Sequence, residues 1–173
     1  MILYLNAEFF GLIAVMSFLS LVRIFVDIEH IKTQIRSFKR AIIDAELYQL
    51  GHEYRKFKRF PQACCVLTSQ LLSRFLIRNY PELEFKIVHG DTPNGIWHYW
   101  VEHKGLVSDI TMTQNGIEAE DVIWSESLWH KKCCVLETWS VEHNFKDVCE
   151  GADSADAQAL ENGYKLTMSK FSL

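Results

Sequence analysis

The chain lacks any marked excess of charge of one sign. Its 18 Lys and Arg residues face 22 Asp and Glu residues, a formal net charge of −4 over 173 residues. Nucleic acid is therefore not expected as a partner, because binding phosphates needs a surplus of Lys and Arg on one face. The local exception is the cluster Arg55, Lys56, Lys58 and Arg59. Its plain reading is a solvated face; its functional reading is attraction of an acidic substrate or an anionic membrane surface. Also missing is a cysteine spacing suited to a metal or a disulfide framework. The five cysteines, Cys64, Cys65, Cys133, Cys134 and Cys149, are odd in number and include two adjacent pairs. Adjacent cysteines rarely bridge each other, since one trans peptide holds their Cα atoms too close. A reducing compartment is the better expectation. A gap of about two to four residues, which lets two sulfurs reach one zinc ion, does not occur. No cofactor is expected. There is no internal repeat, no low-complexity segment and no linker.

A long uncharged run is lacking too. Phe9 to Val22 carry no charge and lie between Glu8 and Arg23. That is shorter than the roughly 18–20 residues that span a bilayer. Extension to Val26 admits only Arg23, which a snorkelling side chain accommodates. No positive segment precedes the run and no small-x-small site follows, so it is a poor secretory signal. Residues 1–26 read as an apolar helix, either a membrane anchor or a partner-binding helix; a buried helix is the bland alternative. Lys32, Arg36, Lys39 and Arg40 follow, and the positive-inside tendency would keep the rest of the chain in the cytoplasm, free or attached to the inner face of the membrane.

What is present suits one folded domain over residues 27–173, with 49% hydrophobic and 13% aromatic residues. Ile28, Ile31, Ile35, Phe38, Ile42 and Ala45 recur at steps of three and four, with charges between them. This predicts an amphipathic helix from Ile28 to Leu50, stopped at Gly51. A second helix is expected from Cys65 to Asn79, ended by Pro81. Three strand-like segments follow: EFKIVHG, IWHYWVEH and GLVSDITM, joined by the turns DTPNG and HKG. Beyond Gln114 the pattern weakens. CCVLETWSV suggests a strand, and DSADAQALENG a short helix capped by Asp153 or Ser154 with a glycine beyond its end. The class is α+β, helices packed on a small antiparallel sheet.

The chemistry centres on RFPQACCVLTSQLL. A thiolate at a helix N-terminus is stabilised by unsatisfied amides and by the helix dipole, and Cys65 stands at such a point. The upstream basic residues would lower its pKa further if they lie near it. A nucleophilic cysteine needs a base, and the base needs an orienting partner. His98 lies inside the aromatic strand and Asp109 inside the next one, so a hairpin brings imidazole and carboxylate together. The helix packed over the sheet would bring Cys65 to the other ring nitrogen. Trp97 and Trp100 flank His98; one is expected in the core and the other as a groove wall, and period two does not say which. His52, His89, His103, His130 and His143 have no partner that the sequence names. Cys133, Cys134 and Cys149 read as structural.

FPQACC, HYWVE and DIT together resemble the transglutaminase-like branch of the papain-like superfamily of cysteine peptidases and acyltransferases. They are similar to small bacterial proteins with F-P-x-x-C-C, H-x-W and D-I-T motifs. The resemblance covers Phe60 to Gln114, about a third of the chain. It implies a transglutaminase-like core in which a cysteine opens a helix and a histidine and an aspartate follow on successive strands. Its pattern also favours Cys65 over Cys64, since Ser69, Leu71 and Leu72 then fill the expected small and apolar positions. The implied reaction is attack by Cys65 on an amide, peptide or thioester carbonyl of a protein, peptide or small-molecule substrate. A thioester follows, to be resolved by water or an amine, with His98 handling the proton and Asp109 fixing the imidazole. The backbone amide of Cys65 would serve the oxyanion. The papain family places a glutamine six residues before the nucleophile, where this chain has Arg59, which leaves the second donor unassigned; Gln62 is the near alternative. Two competing readings stand beside the enzyme: a non-catalytic binding or membrane-associated module that keeps the fold, and a metal site using Cys64 or Cys65 with His98.

Overall fold

The computed structural model describes residues 28–115, 120–141 and 154–172. The apolar run expected over residues 1–26 lies outside them, as does Cys149. Among the described residues, no helix is long and apolar enough to cross a membrane.

Helix α1 spans 28–44. Its Ile31, Ile35, Phe38 and Ile42 are buried, as the three-four spacing requires. The helix does not reach Leu50. Glu46 takes a left-handed backbone at φ 47°, and a tighter 3-10 turn, Leu47–Leu50, follows. Periodicity alone does not register such a break, because Leu47 still returns to the core. A second 3-10 turn, Arg55–Arg59, carries the basic cluster. Helix α2, Cys65–Asn79, buries Leu71, Leu72, Phe75 and Leu76. Phe38 of α1 stacks on Phe75 of α2 at 4.5 Å. Each such side chain contributes about 1.5–3 kcal/mol by leaving water.

The five strands are β1 (Phe85–Asp91), β2 (Trp97–His103), β3 (Leu106–Asp109), β4 (Val122–Ser125) and β5 (Cys134–Val141). They form one sheet in the order β4-β3-β2-β1-β5, with every pairing antiparallel. The class is therefore α+β, as expected. Alternation assigns the two faces. Phe85, Ile87 and Val101 join α1 and α2 in the main core, whereas Val88, Trp100, Val107 and Cys133 form a smaller cluster. Trp100 lies against β1 only because Gly90 has no side chain; a Cβ there would sit 2.8 Å from the indole.

Helix α3, Ser154–Lys170, runs through Gly163 rather than ending before it. The reason is packing. The Tyr54 ring and hydroxyl occupy the space a side chain at 163 would need. That hydroxyl donates to the Ala159 carbonyl at 3.0 Å. Glycine here permits close approach instead of marking a helix end. The Arg74–Glu161 ion pair further ties α2 to α3.

Candidate active site

The segment leading to α2 sets the position of Cys65. Ala63 adopts a left-handed backbone, φ 56°, a conformation costing a residue with a Cβ about 1–2 kcal/mol. Cys64 is then the N-cap and Cys65 the first helical residue. The two adjacent cysteines differ sharply in environment. Cys64 points into the core, and its thiol donates to the Gln62 carbonyl at 3.2 Å. Burial and the neighbouring Cys65 push its pKa up to about 11. The Cys65 sulfur instead meets the His98 ring, the Gln114 amide and the backbone N–H of Tyr99. Burial alone would raise the Cys65 pKa; the His98 hydrogen bond and charge, then Gln114 and the Tyr99 N–H, outweigh it and hold the thiol below its ordinary value. The basic cluster is not among those causes, contrary to expectation. A thiolate needs donors within hydrogen-bonding reach, and His98, Gln114 and Tyr99 supply them.

His98 and Tyr99 are the second and third residues of β2. The β2–β3 register pairs Val101 with Ser108. One step further sets Asp109 opposite Trp100, on the same face as His98 and diagonally placed to it. The Nε2–H of His98 donates to Asp109 Oδ2 at 2.6 Å, with both groups buried. The other Asp109 oxygen accepts the Thr111 backbone N–H and the Thr111 hydroxyl, each at 2.8 Å. The three residues expected as a triad, Cys65, His98 and Asp109, thus lie together.

Burial would depress the His98 imidazole. The bonds to Asp109 and Cys65 and their charges overcome this and raise it to about 9. Burial would likewise raise the Asp109 carboxyl, but donors from His130 and His98 hold it well below the usual carboxylate range. These directions favour transfer of the thiol proton to the imidazole beside an ionised carboxylate.

Two further residues belong to the site, and neither was visible in the sequence. His130, in the 3-10 turn His130–Lys132, places Nε2 3.2 Å from Asp109 Oδ2 and Nδ1 2.7 Å from the Ser127 hydroxyl. Its ring packs edge-on against Trp100 at 4.9 Å. Gln114, in the 3-10 turn Met112–Asn115 just past β3, bridges the loop before Cys65 and the His98 ring. Its Oε1 accepts the Ala63 backbone N–H at 3.0 Å, and its Nε2 reaches His98 Nδ1 at 2.8 Å. Gln62, the earlier alternative, has an exposed side chain. The ambiguity between the tryptophans is resolved: Trp100 is 2% exposed and Trp97 is 67% exposed.

Among the described residues, the group whose donor atoms could meet at one metal ion is His98, Asp109 and His130. It contains neither Cys64 nor Cys65, the cysteines of the competing metal reading. Both histidine Nε2 atoms are already directed at one oxygen, Asp109 Oδ2, at 2.6 and 3.2 Å.

No protein-family model matches this chain, and no curated protein or solved structure matches it either.

Proposed function

We propose that the protein is a cysteine-dependent hydrolase or acyltransferase acting on an amide, peptide or thioester carbonyl. The observation that carries this reading is the Cys65–His98–Asp109 contact line, with each ring nitrogen of His98 committed to a different neighbour. Nε2 is held by a buried carboxylate, which fixes the ring, while Nδ1 lies 2.8 Å from the Gln114 amide and the same ring interacts with the Cys65 sulfur. The order of the three residues along the chain and their places on a helix start and two neighbouring strands support a transglutaminase-like, papain-like core.

The steps follow from that arrangement. His98 Nδ1 takes the Cys65 thiol proton. A sulfur lone pair forms a bond to the carbonyl carbon, and the carbonyl π pair moves to oxygen. When the oxyanion collapses, the carbon–nitrogen bond breaks, and the leaving amine takes the proton from His98. A thioester remains on Cys65. Water or an amine, deprotonated by His98, then attacks the thioester; the sulfur departs and recovers its proton. Asp109 stabilises the imidazolium throughout and keeps its proton-transfer nitrogen pointed at sulfur. A protein, peptide or small amide or thioester is the substrate class this chemistry serves.

Residue-resolved iodoacetamide labelling across pH tests the proposal. Cys134 is exposed and Cys65 buried, so sterics alone would make Cys134 the faster to react. The expected result is faster labelling of Cys65 at neutral pH, with a titration below the free-thiol value of about 8.5, lost in His98→Ala. Labelling of Cys65 slower than Cys134 and indifferent to His98 would overturn the enzyme and favour a binding module.

A further inference from the structure

We infer that Gln114 is the second oxyanion donor of this site, an assignment that rests on the proposed acyl-transfer chemistry. The backbone N–H of Cys65 is one donor, being among the free amides of the first turn of α2. A second must reach the same side of the sulfur. Gln114 is built for that position. The Ala63 N–H can only donate, so the carboxamide oxygen must face it, at 3.0 Å. The NH2 group is thereby turned toward His98 Nδ1, at 2.8 Å, and toward the Cys65 sulfur. The same residue, Ala63, holds a left-handed backbone in this loop.

Proton accounting shows that the amide has work beyond its resting contact. With a neutral imidazole, Nε2 keeps its proton for Asp109 and Nδ1 accepts from Gln114. Once Nδ1 takes the thiol proton it becomes a donor, and two N–H groups then face each other. The amide N–H must find another acceptor. The sulfur is one, and the carbonyl oxygen that gains charge during attack is a better one, since bonds to charged acceptors are about twice as strong. The same proton transfer that activates the sulfur thus releases the amide for the oxyanion. The papain family's expected glutamine, ahead of the nucleophile, is here Arg59. The amide comes instead from the turn after β3.

The test compares two reactions of the same sulfur. Acylation by p-nitrophenyl acetate forms a sulfur–carbon bond at a carbonyl, develops an oxyanion and expels p-nitrophenolate. Alkylation by iodoacetamide displaces iodide at a saturated carbon and develops no oxyanion. Each rate is taken on its high-pH plateau, so that any change in the thiol pKa drops out. In Gln114→Ala, acylation is expected to fall by about 10²-fold or more, while alkylation of Cys65 stays within a few-fold. Gln114→Glu keeps an oxygen for the Ala63 N–H and so preserves the loop; it should lose acylation at least as strongly. A parallel fall of both rates, or a fall of neither, overturns the oxyanion role. An activated Cys65 in the wild type that acylates normally in both variants refutes Gln114 alone. A wild type whose Cys65 is inert to both reagents refutes the acyl-transfer reading and this inference with it.

Discussion

Replacing Asp109 by asparagine changes one atom and tests most of the site at once. The Asn carbonyl can still accept the Thr111 N–H and hydroxyl, where Asp109 Oδ1 now sits at 2.8 Å from each. Its NH2 must then face the Nε2 atoms of His98 and His130, which the carboxylate now serves at 2.6 and 3.2 Å. A donor facing Nε2 forces the neutral imidazole to carry its proton on Nδ1, where it can no longer take one from sulfur. The imidazolium is disfavoured as well, because its second N–H would meet the amide NH2. Cys65 should return toward ordinary thiol behaviour. At a pKa of about 8.5 a thiol is about 3% ionised at pH 7, so labelling at that pH falls by up to about thirty-fold. Acyl transfer should fall further, by about 10³–10⁴-fold, since tautomer and charge are both lost. The fold should weaken by about 3 kcal/mol, the scale of breaking a buried hydrogen-bonded charge pair. The sign of its pH dependence is fixed by the depressed Asp109 carboxyl. Its stabilising effect is present above the unfolded carboxyl value of about 4 and fades as pH drops through the folded value. The urea-derived stability gap between wild type and variant should therefore close in acid. Residue-resolved labelling and urea melts across pH are the assays. A variant with unchanged Cys65 labelling at pH 7 and an unchanged melt would refute the reasoning.

Three other outcomes are expected. Acyl transfer should decline as pH rises through about 9, where His98 loses the proton that the leaving amine needs, while plateau alkylation persists. Over the same range stability should drop, because a raised imidazole stabilises fully below its unfolded value of about 6.5 and not above its folded one; His98→Ala should abolish that slope in thermal melts. Cys64→Ala should leave acylation intact and cost at most about 1–2 kcal/mol of core packing, so a catalytic loss in that variant would reassign the nucleophile. Gly163→Ala should destabilise by about 1–3 kcal/mol through overpacking against Tyr54, and a neutral melt would mean that the ring moves aside freely.

The main helices and the first three strands were legible because burial there follows short periods. Ile31, Ile35, Phe38 and Ile42 mark one helix face, and Leu71, Leu72, Phe75 and Leu76 another. The triad candidates were legible because Cys65 opens a helix and His98 and Asp109 fall on successive strands of a tight hairpin. His130 was not, since it lies 21 residues after Asp109 and reaches it through the pairing of β4 with β3. Gln114 was hidden for another reason: an amide side chain near a turn reads as solvation unless the partner loop is known. The partner is Ala63, 51 residues earlier. Gly163 misled because the same residue type serves helix ends and close contacts, and only Tyr54 distinguishes the two.

The carboxylate of Asp109 also anchors the turn that carries His130 and braces the backbone at Thr111. A residue with two masters is retained if either one survives. If the proposed chemistry were abandoned in a descendant of this chain, Asp109 would still stabilise the fold, and with it an imidazole at position 98. The sulfur of Cys65 and the amide of Gln114 have far weaker structural claims. In any lineage of such proteins, the loss of activity should be written first at positions 65 and 114, while the histidine and aspartate persist as architecture.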